Sequence, residues 1–164
     1  VEELPPIDIL KMDLQGGELE VLETGQSKLA DAVAIITEVR FFRFYENEPM
    51  FADQDAMLNR MGFRLHKFIE WNNIKVGFKD RFRTSLALQS QVVDGDAAYL
   101  PAGDLAARLS TDQLIFLVLA ADTLFDSPDL VMHCLDILQS RGAADRRLLD
   151  GYLKALPRHL RRAF

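Results

Sequence analysis

The run Ala32-Val33-Ala34-Ile35-Ile36-Thr37-Glu38-Val39 constrains this chain more than any other segment. It is rich in β-branched residues and apolar on both faces. A strand of that kind must be covered on both sides, as the central strands of parallel sheets are. The surrounding sequence agrees. Ile7 to Leu14 forms a shorter, mostly apolar run that ends at Gly16-Gly17. Glu18 to Thr24 reads as a short helix, with Leu19 and Leu22 on one face and Gly25 as the residue that ends it. A polar and aromatic loop follows over Arg40 to Pro49. Asp53 to Met61 then reads as a helix stopped by Gly62, Phe63 to Ile69 as a third strand and Arg83 to Val92 as a fourth. Strand, helix, strand, helix, strand is the order of an α/β sheet with crossover helices.

The texture changes at Pro101 and Gly103. Residues 1–100 are expected to form a partial α/β domain, and residues 103–164 a helical region. In the latter, Ser110 and Gln113 make a capping box ahead of Leu114, Leu117, Val118 and Ala121. Ser127-Pro128 offers an N-cap and a proline at the first helical position, and that helix is expected to end before Gly142. A third helix carries Leu148, Leu149, Tyr152, Leu153 and Leu156 up to Pro157.

The 164 residues carry a net charge of −6, which speaks against nucleic acid as a partner because phosphate binding wants a basic face. The most apolar run, Leu114 to Ala121, is too short to span a bilayer, so no membrane partner is expected. The lone Cys134 cannot form an internal disulfide and fits a reducing compartment, the cytoplasm. His66, His133 and His159 are scattered, and no spacing suggests a set of metal ligands. Among motifs with known mechanics, no nucleophile elbow, P-loop or dinucleotide fingerprint is present.

Chemistry concentrates near the strand ends. Asp13 and Glu38 each sit at the expected carboxyl end of a strand, where ligands bind in open α/β sheets. If the strands are neighbours, both carboxylates reach one crevice. Arg40, Arg43, Phe41, Phe42, Phe44 and Tyr45 follow directly; they suit either the wall of an acceptor pocket or core beneath a loop. Lys11, inside an apolar strand, is expected to bury its stem and reach water with its head.

The segment Lys11-Met12-Asp13-Leu14-Gln15-Gly16-Gly17-Glu18-Leu19-Glu20-Val21-Leu22 resembles the Lys-Ile-Asp-Val-Glu-Gly-x-Glu-x-x-Val-Leu pattern of FkbM-type methyltransferases. Glu38-Val39, Gly62-Phe63 and Val93-Asp94-Gly95-Asp96-Ala97-Ala98-Tyr99 resemble later features of that family in order and spacing. The resemblance covers residues 5 to about 100. It implies the C-terminal half of a Rossmann-like methyltransferase sheet, followed by an all-α tail. It also implies S-adenosylmethionine as cofactor, met by Asp13, Leu14 and Gln15, with Asp13 and Glu38 catalytic. Arg40 and Tyr45 would face a small-molecule or glycan acceptor whose oxygen is methylated. Gln15 stands where the family has Glu, which removes a charge.

The family's glycine-rich cofactor loop and ribose-binding carboxylate have no counterpart in the sequence, so the isolated chain is expected to be inactive. A non-enzymatic interaction or assembly module on the same fold is the competing reading. The strand from Ile7 to Asp13 is expected to leave one edge unpaired, to be covered by self-association or by packing of the C-terminal helices, with a symmetric dimer favoured.

Overall fold

The computed structural model describes residues 5–77, 83 and 85–161. The chain divides into two compact units, Val1–Gly103 and Asp104–Phe164. The first is α/β, as the sequence implies. Its elements are β1 (Ile9–Met12), α1 (Glu18–Leu29), β2 (Ala34–Arg40), α2 (Phe51–Arg60), β3 (Phe63–Ile74) and β4 (Gln91–Pro101). The four strands form one mixed sheet in the order β1-β2-β4-β3. β1 and β2 are parallel, with Met12 opposite Thr37, while β4 runs antiparallel to both β2 and β3.

Two expectations need correction. The first is the fourth strand: it starts at Gln91, whereas the sequence reading places a strand over Arg83 to Val92. Residues 86–88 form a single 3-10 turn, and residues 78–82 and 84 lie outside the described residues. The Asp94-Gly95-Asp96 triplet interrupts the apolar run of β4 and disguises it as a loop. The second is α1, which continues past Gly25 to Leu29. Gly25 keeps helical backbone, at a cost of only about 1 kcal/mol relative to alanine. Leu29 then lies two turns beyond Leu22, and both are fully buried in the same core.

That core lies on one face of the sheet. Met12, Ile35, Val39, Ala97 and Tyr99 meet Leu22 and Leu29 of α1 and Met57 and Leu58 of α2. β2 is buried along almost its whole length, as its sequence demands. Polar groups that enter this region are paired. The Thr37 hydroxyl and the Gln54 amide are 3.0 Å apart, Gln54 donates to the Glu38 carbonyl at 3.0 Å, and the Tyr99 hydroxyl meets Asp55 at 3.1 Å. Burial and the neighbouring carboxylate push the Tyr99 phenol well above its ordinary pKa, so it stays protonated and donates. Among the described residues β1 is hydrogen-bonded to β2 alone, which leaves its other edge without a strand.

The second unit holds α3 (Leu105–Arg108), α4 (Thr111–Thr123), α5 (Pro128–Ser140) and α6 (Arg146–Ala155). The capping box at α4 forms: Ser110 accepts from Gln113 N and the Gln113 side chain accepts from Ser110 N. Pro128 opens α5, but the Ser127 hydroxyl donates to the Phe125 carbonyl at 3.3 Å rather than capping that helix. Arg141, just past α5, ties this unit together by donating to the carbonyls of Ala106 and Leu109. Cys134 is buried on α5, and burial raises its thiol to about 11, which keeps it protonated and unreactive. Among the described residues no helix is long and apolar enough to cross a membrane.

Candidate active site

Strand alternation selects the residues of the site. Glu38 and Arg40 lie on the same face of β2, and their cross-strand partners on β4 are Asp96 and Asp94. The next strand adds Glu70 and Asn72, opposite the same two aspartates. Asp13, just past β1, closes the group. Asp13, Glu38, Glu70, Asn72, Asp94, Gly95 and Asp96 line a recess of about 180 Å³ with strongly acidic walls. The two carboxylates expected to meet at the strand ends do so. Oxygens of Asp13, Glu38 and Glu18 all lie within 4.8 Å of one another.

The loop between β1 and α1 is shaped by Glu18. Its buried carboxylate accepts from Leu14 N at 2.7 Å and from Gly16 N at 3.0 Å. The chain turns through two left-handed residues, Gln15 at φ 53° and Gly16 at φ 107°. Glycine adopts this geometry freely, whereas Gln15 does so at a cost of about 1–2 kcal/mol. Leu14 is half-exposed beside the recess. Asp13, Leu14 and Gln15, the three residues expected to meet a cofactor, thus share one strained strand-end loop. Strain of this kind is characteristic of functional sites.

Glu38 is the electrostatically perturbed group. Its carboxyl is raised from 4.5 to about 6: burial is the largest cause, Arg40 opposes it, and Asp13, Asp94 and Glu18 add to it. A carboxylate poised there is ionised at neutral pH and basic enough to accept a proton.

Arg40, expected in an acceptor pocket, is turned inward with its side chain 8% exposed. Its Nε reaches Glu48 at 3.1 Å, one terminal nitrogen reaches Asp94 at 2.7 Å, and the other reaches Glu38 at 3.0 Å and Gln15 at 3.1 Å. Glu48 in turn accepts from the backbone of Phe44 and Tyr45 and shapes that loop. The aromatic cluster divides. Phe41 packs against Phe51 and Phe68 with ring centres 5.4 and 5.5 Å away, as core does, whereas Phe42, Phe44 and Tyr45 stand exposed on the loop. Lys11 is half-exposed, but its ammonium pairs with Asp96 at 2.6 Å rather than reaching only water.

Sequence reasoning missed Glu18, Glu48, Asp94 and Asp96 as parts of this network. A signal for two of them existed: acidic residues two apart in an otherwise apolar run, Asp94 and Asp96, place both carboxylates on one sheet face.

Comparison with protein families matches residues 1–65 to the methyltransferase FkbM domain. The matched segment spans β1, the Glu18-centred loop, α1, β2 and α2, and so includes Asp13, Glu38 and Arg40. The match falls on the segment whose Lys11–Leu22 motif resembles that family. No curated protein matches the chain, and no solved structure does.

Proposed function

We propose that the acidic strand-end site serves methyl transfer from S-adenosylmethionine to a hydroxyl oxygen of a small-molecule or glycan acceptor. The observation that carries this reading is the convergence of Asp13 and Glu38 at the carboxyl ends of two adjacent parallel strands. The donor fits the residues present. Its positive charge suits an acidic rim, and the exposed Leu14 offers an apolar surface beside Asp13 and Gln15. When bound, the donor supplies an electrophilic methyl carbon on a sulfonium. Asp13, exposed at the mouth, accepts a hydrogen bond from the acceptor hydroxyl and orients it. Glu38, held near pKa 6, takes the hydroxyl proton as the oxygen becomes nucleophilic. The cytoplasm suits a protein whose one cysteine is a protonated, buried thiol.

Methyl-labelled S-adenosylmethionine, incubated with the gene product that contains this sequence and a panel of sugars and small alcohols, tests the reading. Label recovered as a methyl ether is the expected result. Label recovered only on nitrogen, or no label on any hydroxyl acceptor despite bound donor, would overturn it.

The 164-residue chain alone should bind the donor weakly. The chain contains no Gly-x-Gly sequence, the motif whose backbone approaches such cofactors most closely. Isothermal titration should give a dissociation constant well above the micromolar range. A low micromolar value, about −8 kcal/mol, would contradict this.

A further inference from the structure

Gln15 is the one charged position of the strand-end motif at which this chain departs from the FkbM pattern, and the structure gives that departure a use. Arginine can only donate hydrogen bonds. A glutamine facing it must therefore present its carbonyl oxygen, and Gln15 Oε1 accepts from Arg40 at 3.1 Å. The amide nitrogen is thereby turned the other way. It donates to Asp13 at 2.9 Å and points at Glu38, 3.4 Å away. A glutamate here would pair with Arg40 but would have no donor for either carboxylate. The amide relays the donor character of a buried cation to an exposed carboxylate that the cation does not touch.

Arg40 itself is fixed. Each of its three nitrogens meets a protein oxygen, and the Phe44 ring centre lies 5.5 Å from its central carbon.

We propose that Arg40 and Gln15 form a positioning relay, in which Arg40 sets the orientation of the Gln15 amide and that amide holds the Asp13 carboxylate toward Glu38. Arg40, which is buried, acts through the Gln15 amide. The inference deepens the methyl-transfer reading of the same site by assigning what orders its exposed carboxylate.

Carboxyl-carbon and side-chain amide NMR of the 164-residue chain tests it without any turnover. Arg40→Lys keeps the charge but loses the planar fork. The relay predicts that Arg40→Lys shifts the Asp13 carboxyl carbon in the same direction as Gln15→Ala, although Asp13 and Arg40 share no bond. It predicts no further shift of Asp13 in the double variant, because the two changes break one chain of bonds. In Arg40→Lys the Gln15 amide protons should also exchange roughly tenfold faster, as expected for one lost hydrogen bond. An Asp13 signal unmoved by Arg40→Lys, or additive shifts in the double variant, would overturn the relay. If Arg40→Lys fails to fold, Gln15→Ala decides on its own, since Gln15 is exposed: the backbone amide signals of Phe44 and Tyr45 should stay in place while Asp13 moves, and an unmoved Asp13 overturns the relay. Failure here leaves the methyl-transfer reading intact, and a failed transfer assay leaves the relay intact.

Discussion

Gly95→Ala should lower the thermal midpoint of this protein by on the order of 10 °C. Gly95 sits in the middle of β4, opposite Trp71 of β3, where β3 carries a register irregularity between Phe68 and Glu70. A Cβ at Gly95 would collide with the backbone carbonyl oxygen of Glu70 and lie 3.1 and 3.2 Å from Cα and Cβ of Trp71. Backbone in a paired strand cannot swing aside as a side-chain end can. The cost is therefore at the upper end of the overpacking range, about 3 kcal/mol. Asp94 and Asp96 flank this glycine, so the disturbance also spreads to the partners of Arg40 and Lys11. Gly151→Ala is the control. A Cβ there meets nothing within 4 Å, and the site is a helix interior, so the midpoint should rise slightly. Calorimetry on both variants checks the pair. Equal midpoints for Gly95→Ala and parent would show that β3 and β4 approach less closely than described.

On the methyl-transfer reading, Asp13→Asn in the gene product that contains this sequence should reduce turnover by roughly 10²-fold or more. The substitution is nearly isosteric and deletes only charge and acceptor capacity. Asp13 is exposed, so little packing is lost, and the Gln15 amide that donates to it can still donate to an asparagine carbonyl. The thermal midpoint should therefore hardly move while the rate collapses. Steady-state kinetics beside a melting curve separates the two. Full activity in Asp13→Asn would retire the orienting role.

Much of this architecture is legible in the residues, and the illegible parts share a cause. β2 is readable because apolar residues on both of its faces admit few alternatives to a covered strand. The start of α4 is readable because the capping box is a local device whose donor and acceptor lie three residues apart. β4 is not readable in place. Its middle is Asp94-Gly95-Asp96, a triplet that looks like a turn until the partners of the two aspartates, 54 and 85 residues away, are known. The same holds for Arg40. After a strand and beside aromatics, an arginine looks available to a ligand; only the fold reveals that Glu38, Glu48, Asp94 and Gln15 surround it. The meeting of Asp13 and Glu38 was readable as a conditional. It required that their strands be parallel neighbours, and they are.

The acid limb of the pH–rate profile tests the claim that this recess is a methyl-transfer site most directly. Glu38 must be ionised to accept the hydroxyl proton, so the rate should rise with pH through about 6 and level off above it. Burial raises this carboxyl above its usual value, so the limb should lie higher than that of an ordinary glutamate. Glu38→Gln should be slow throughout and show no such limb. An identical limb in Glu38→Gln, or a parent rate flat from about pH 5 to about pH 8, would contradict the account.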